Sequence, residues 1–536
     1  MKKIMLTAMI LFSVIELSGQ KFIRSNIQDI RVQINGMHTA WAISPETNPD
    51  RLRVYCNMNI NSVVFQTDID TAQFEVKNHD TIRFAILLKS KDTAYTEIIG
   101  IRDLPSSITA EEKVFGLSRI WSETKYNFVN IDQFKYDIDS VYRTYIPLVQ
   151  ATVNDYEYYQ VLRKFLAGMH DGHTEVYDNG QFSRYRDYIP ISLADFDKRI
   201  YITAVRKTPV QDSTWVGAEV IEIEGMPTLQ YLELNIFPYI SASTEQHLWM
   251  QAIYKLQGGF KEQSFNCTIK KQDGKVEKIQ IPRNGEATRT AHDQSWGTIP
   301  SWPSKIVELQ WLERGIALVS FNRFAPEKEA IDDFTRIAAE INQASGLIID
   351  LRHNGGGSTE VAHHLQKYLT KGRYFLNYGW ETRVSDGVRK ANGNWIEAYS
   401  DYYLDRAYRF EKPDTVFVPD SLKRILCPVI ILTGRYTFSA AEDFLVNLYE
   451  LPGRPLIMGA ETGGSTGSPL VVSGLPGDGY ARICTRRICY PQSGRRFVNS
   501  GVKPDIEVKS GIEDYLLNRD LLLEKAIEEC RRMTSR

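Results

Sequence analysis

Cysteine is scarce in this sequence: six among 536 residues, Cys56, Cys267, Cys427, Cys484, Cys489 and Cys530. No two form a C-x-x-C pair, which excludes thiolate zinc and dithiol redox sites of the usual spacing. Disulfides are therefore not the framework, and Cys484 and Cys489, five apart, would face opposite sides of one continuous strand. Charge of one sign is missing too. Lys and Arg number 64 against 66 Asp and Glu, a formal −2, so no net field draws the chain to phosphate backbones or anionic membranes, and nucleic acid is not an expected partner. Beyond the first residues no run reaches the ~18 apolar residues of a transmembrane helix, and there are no internal repeats or low-complexity tracts. What is present, 43% hydrophobic and 24% charged residues, is a globular composition in a chain too long for one core.

Met1-Lys2-Lys3 followed by the mainly apolar Ile4 to Ile15 and by Ser18-Gly19 has the order of an export signal, expected over residues 1–19. The mature protein is then periplasmic or extracellular, without stable membrane insertion. Residues 21–105 alternate apolar and polar with short-range Asn, Asp and Thr punctuation, an N-terminal β-rich module. Residues 106–189 form a helical segment, with Val114, Leu117, Ile120 and Trp121, then Tyr158, Leu162, Phe165 and Leu166, at helical spacing. Residues 190–285 return to strand pattern, a candidate inserted domain. From about residue 300 to 536 the order is strand, helix, strand, helix. Ile316 to Phe321, Leu347 to Leu351 and Pro428 to Leu432 are the apolar strands of a parallel sheet, interrupted by a polar aromatic insertion over about 372–424.

Two loops of this α/β domain can carry chemistry. Asp350-Leu351-Arg352-His353-Asn354-Gly355-Gly356-Gly357 ends a buried strand in three glycines, placing backbone N–H groups where an anion or oxyanion could bind. No Lys-Ser/Thr follows and no G-x-G-x-x-G is present, so a nucleotide loop is not supported. The second loop runs from strand to helix through Thr433-Gly434-Arg435-Tyr436-Thr437-Phe438-Ser439-Ala440-Ala441-Glu442. A serine there stands exposed while the following amide faces the same space. The same residues also satisfy an S-x-x-E capping box, and G-x-S-x-G is absent. A nucleophilic serine needs a base, and His173 in Asp171-Gly172-His173-Thr174 sits at a turn after the helical segment. His353, His363 and His364 compete for the role. H-x-x-H differs from H-E-x-x-H and no third ligand clusters with it, so a metal site is not expected.

Taken together and in order, these motifs resemble the tricorn-like and C-terminal-processing serine peptidases. The resemblance extends to Glu461-Thr462-Gly463-Gly464 and to Gly501-Val502-Lys503-Pro504-Asp505-Ile506. It implies a crotonase-like α/β sandwich carrying the serine, a PDZ-like insert over 190–285, and a cofactor-free reaction on peptides or unfolded proteins. By resemblance Ser439 is the nucleophile, His173 the general base, and the amides of Gly355, Gly356 and Ala440 the oxyanion hole. One branch of the family uses a Ser–Lys dyad, but the position of that lysine is Ser465 and no lysine lies between Lys423 and Lys503. The Ser–His branch is the one implied. That branch places an orienting glutamate shortly before Gly-Val-x-Pro-Asp, where this chain has Phe497-Val498-Asn499-Ser500, leaving Asn499, Asp171 or Glu442 to orient the ring.

The expected activity is thus an exported serine endopeptidase acting through a Ser439 acyl-enzyme. The rival expectation is a catalytically degenerate scaffold that binds peptides or apolar ligands, supported by the missing acid. A third, a polysaccharide-binding module, would need an exposed aromatic row.

Overall fold

The computed structural model describes residues 104–534 apart from 208–211, 262, 284–294, 298–302, 384–386 and 498, and within 21–100 it describes the strands. The export signal expected over residues 1–19 lies outside the described residues. Two compact units divide the chain. The first contains two antiparallel sheets: Lys21–Arg24, Ile30–Asn35, His38–Ile43 and Thr71–Glu75 in one, Arg51–Cys56, Thr81–Leu87, Thr93–Tyr95 and Ile99–Gly100 in the other.

In the second unit, the frame of the α/β domain is a six-stranded sheet. Val307–Trp311 pairs antiparallel with Ile316–Phe321, after which Gly346–Asp350, Val429–Thr433, Leu456–Gly459 and Ile506–Glu507 follow in parallel. The four inner strands are apolar at most positions because both faces are covered. Ala317, Val319, Leu347, Ile349 and Ile431 pack on one side against the helices Glu327–Ile341, Thr359–Leu369 and Ala440–Tyr449. Ile316, Leu318, Ile348, Ile430 and Leu432 pack on the other against Leu522, Ala526 and Cys530 of the helix Leu521–Thr534. Parallel neighbours end at the same level, so the glycine loop after Asp350 and the serine loop after Thr433 emerge side by side.

The helices Ala110–Asn127, Ile138–Gln150 and Asp155–Ala167 share a core with Val472, Ala481 and Ile483 of the hairpin Pro469–Leu475 and Gly479–Cys484. Strand Glu175–Tyr177 adds to that hairpin, pairing Val176 with Ala481. This pairing, together with the hydrogen bond from Cys484 N–H to Thr174 Oγ1 at 2.9 Å, carries the His173 turn across about 300 residues of sequence.

Residues 190–282 form an antiparallel sheet in the order Ile191–Phe196, Arg199–Arg206, Glu219–Ile223, Ser264–Lys270, Val276–Pro282. Two helices, Thr228–Asn235 and Glu245–Gln257, interrupt the strand pattern expected there. The second was legible: Thr244 accepts from His247 N–H as an N-cap, and Trp249, Ile253 and Leu256 recur at helical spacing on a buried stripe. Cys484 and Cys489 do not share a strand; they lie in Gly479–Cys484 and Arg487–Cys489, and both are free thiols. No described helix is long and apolar enough to cross a membrane.

Candidate active site

Ser439 adopts φ 55° and ψ −125°, a conformation that an L-residue reaches only at a cost of about 1–3 kcal/mol. Surrounding bonds enforce it. Ser439 N–H is shared between Ser465 O at 3.2 Å and Glu442 Oε2 at 3.1 Å, Phe438 N–H donates to Asn354 O, and Gly463 N–H donates to Thr437 O. The turn thrusts the hydroxyl out of the sheet edge, where Oγ lies 3.2 Å from His173 Nε2. The half of the capping box that Glu442 supplies is therefore built, while the serine hydroxyl faces the histidine.

His173 is 3% exposed. Its ring stacks on Phe438 with centroids 4.8 Å apart and planes within 5°, and its N–H donates to Asp171 Oδ1 at 2.9 Å. Nδ1 lies 2.8 Å from Ser465 Oγ. None of the three residues expected to orient the ring does so: Asp171 holds the backbone, Asn499 donates to Gln133, and Glu442 sits beneath both serines. Ser465, noted in the sequence only as the place of a missing lysine, is the partner instead. Burial, with Arg482 and His247 nearby, pushes the imidazole down to about 3, so it is neutral at physiological pH.

Glu442 ties the site together. Its carboxyl accepts from Ser439 N–H, Ser465 N–H at 3.2 Å, Gly464 N–H at 2.7 Å and Thr462 Oγ1 at 2.5 Å. Thr462 Oγ1 in turn accepts from Val502 N–H at 2.7 Å, which links the Gly-Val-x-Pro-Asp segment to the serine loop. Burial pushes Glu442 up to about 8 against four hydrogen bonds that pull the other way.

The glycine loop is pinned by Asn354, whose Nδ2 donates to Phe321 O at 2.8 Å and whose Oδ1 accepts from Gly356 N–H at 2.9 Å. The expected oxyanion role of Gly356 needs correction on this point: its amide is engaged within the loop. Its glycine identity has another cause. At φ +91° a Cβ there would lie 2.8 Å from Ala440 N and 2.9 Å from Ser439 Cβ. Among the described residues the amides of Gly355 and Ala440 have no acceptor, and Gly355 is exposed. The competing histidines have other partners, His363 Nε2 with Asn377 Oδ1 and His364 Nε2 with Thr335 Oγ1. Among the described residues no group of three or more His, Cys, Asp or Glu side chains could hold a metal.

Residues 315–508 match the model of Peptidase family S41. This chain carries a domain of that family. It is a serine-type peptidase. Ser439, Gly355, Gly356, Ala440 and Ser465 all lie inside the matched span, whereas His173 precedes it. Among solved structures, mature CPAF complexed with lactacystin is similar over 80% of this chain and 100% of its own, at 13% identity and a TM-score of 0.60. Mature CPAF alone gives 15% identity over 80% and 97%, with a TM-score of 0.58. At such identities the likeness establishes a shared mixed α/β fold.

Three buried carboxyls of this peptidase sit above their ordinary range through burial: Asp171 at about 6, Asp443 at about 7 and Glu442 at about 8. Between pH 6.5 and 7.5 His173 and His247, pushed down to about 3 and about 4, are neutral folded but part-protonated unfolded, so they oppose the carboxyls, as do His353, His364 and Lys255, which burial also pushes down. Across this window Glu442 stays largely protonated in the folded state and Asp443 titrates through about 7, whereas both are ionised on unfolding. The folded state then holds more protons, and stability is lost as pH rises toward 8. Between pH 6.5 and 7.5 the net loss is about 1 kcal/mol, visible as a falling melting temperature. Below 6.5 the histidines oppose the carboxyls more strongly. A melting temperature that rose from 6.5 to 7.5 would contradict the protonated carboxyls.

Proposed function

We propose that the chain is an exported serine endopeptidase that hydrolyses peptides or unfolded proteins, with Ser439 as nucleophile and His173 as general base. The observation that carries this is the strained strand-to-helix turn that sets Ser439 Oγ 3.2 Å from a neutral, buried His173. His173 Nε2 accepts the Ser439 hydroxyl proton while Nδ1–H donates to Ser465 Oγ. Oγ bonds to the scissile carbonyl carbon, and the oxyanion takes hydrogen bonds from Gly355 and Ala440 N–H. The imidazolium gives its proton to the departing amine, the C–N bond breaks, and an ester on Ser439 remains. Water, deprotonated by the same Nε2, hydrolyses that ester. No metal or cofactor takes part.

Residues 190–285 are read as a PDZ-like insert, supported by the antiparallel sheet and its two helices. Its role would be to hold an extended peptide at a strand edge. Residues 300–536 are read as the crotonase-like core, and the basic-apolar-small order of residues 1–19 supports export. The scaffold reading draws on one observation, that Ser465 stands where a charged orienting group would be.

Incubation of an unfolded protein with the mature enzyme is expected to yield defined fragments by mass spectrometry. A serine-reactive fluorophosphonate is expected to label one tryptic peptide, the one containing Ser439. Peptide binding with neither cleavage nor labelling would favour the scaffold.

A further inference from the structure

A cavity of about 260 Å³ opens beside Gly172, Gly355 and Phe438, the neighbours of the base, an oxyanion donor and the nucleophile. Its lining carries three cations, Arg163, Lys255 and Arg482, against one anion, Glu175. Two cations are matched: Arg163 Nη2 lies 2.5 Å from Asp178 Oδ2, and Arg482 Nη1 lies 3.4 Å from Glu175 Oε1. The Tyr177 hydroxyl also donates to Glu175. Three cations less two carboxylates leave one positive charge. It belongs to Lys255, which makes no ion pair or hydrogen bond among the described residues and which burial pushes down to about 8.

Lys255 is placed firmly. His247, Gln251 and Lys255 succeed one another every four residues along one face of the helix Glu245–Gln257 and line the cavity together. The start of that helix is tied to the Thr462-Gly463 segment and to the His173 turn. Thr244 Oγ1 donates to Gly463 O at 2.7 Å, Gln246 Nε2 donates to Thr462 O at 3.0 Å, and Ser243 Oγ accepts from Gly172 N–H at 2.9 Å. Val176, Ile240 and Met250 supply apolar wall for the methylenes of a side chain. A half-buried ammonium without a contacting counter-ion is costly, and an entering carboxylate reduces that cost.

We propose that this cavity receives a carboxylate of the substrate, paired with the Lys255 ammonium, so that cleavage favours chains presenting an acidic side chain or a free C-terminal carboxylate beside the scissile bond. The inference rests on the Ser439–His173 reading for its place next to the chemistry, and its test is a binding measurement that needs no turnover.

Titration calorimetry on the Ser439→Ala protein would compare N-acetyl-glutamate amide, N-acetyl-glutamine amide and N-acetyl-glutamine with a free carboxylate. At least one carboxylate probe is expected to bind tenfold or more tighter than the neutral amide, and which one it is names the source. Adding Lys255→Met is expected to erase that preference, with Lys255→Gln as a second variant should the first fold poorly. Wild-type melting temperature is also expected to rise with the preferred probe, a rise absent in the Lys255 variants. Equal binding of all three probes, or a preference unchanged in both Lys255 variants, overturns the inference even where cleavage by Ser439 is intact. A preference lost with Lys255 in a protein that cleaves nothing supports the cavity and leaves the failure with the Ser–His reading.

Discussion

Replacement of Ser439 by Ala is expected to lower kcat on any cleaved peptide by about 10⁶-fold, the scale seen when a serine nucleophile is removed. The loss should not come from unfolding. Glu442 and Ser465 hold the backbone of residue 439, through its N–H, so the hydrogen bonds that shape the turn survive the change. Alanine in the same φ 55° conformation bears the same backbone strain, so melting temperature should move by less than about 1 kcal/mol equivalent. Continuous peptide cleavage assays beside thermal melts separate the two effects. Cleavage within tenfold of wild type, in a preparation free of contaminating protease, would show that the nucleophile lies elsewhere.

Much of the α/β domain was legible because buried parallel strands leave continuous apolar runs, as in Leu347-Ile348-Ile349 and Val429-Ile430-Ile431, and helices between them leave a 3.6-residue stripe. The two loops were legible for the same reason, since they follow those strands directly. The route of His173 to the serine was not. It depends on a three-residue strand, Glu175–Tyr177, pairing with a hairpin some 300 positions later, and strands that short carry no periodicity. Ser465 was hidden by its chemistry. A serine in a Gly-Gly-Ser-Thr-Gly stretch looks like loop, and only the fold brings its hydroxyl to Nδ1. Gly356 illustrates the reverse case. A glycine in an anion-binding loop was expected to offer its amide, whereas its lack of a Cβ, which lets the loop touch Ala440 and Ser439, is what the packing requires. Lys255 belonged to a stretch expected to be strand, where the every-fourth-residue face that it shares with His247 and Gln251 has no meaning.

If Ser439 and His173 act as the proposed pair, removing the imidazole should cost nearly as much as removing the hydroxyl. His173→Ala is expected to lower kcat/KM by roughly 10⁴–10⁶-fold, because a serine without its proposed base is a poor nucleophile. The residual rate should rise with hydroxide concentration as solvent replaces the base. The wild-type profile carries the more specific signature. A base must be unprotonated to act, and burial holds His173 down at about 3, so activity should persist well below pH 6.5, where an ordinary histidine has lost it. The cause of the low value is also the cause of a limit. Ser465 orients the ring but is neutral, and Glu442, one hydrogen bond further on, is itself pushed toward its protonated form, so no full negative charge stabilises the imidazolium. Ser465→Asp would supply one. That variant should lift the acid limb of kcat/KM toward higher pH, while Ser465→Ala should leave the limb low and reduce the rate through loss of ring orientation. An acid limb near 6.5 in the wild type, unmoved by Ser465→Asp, would mean that a different group accepts the proton.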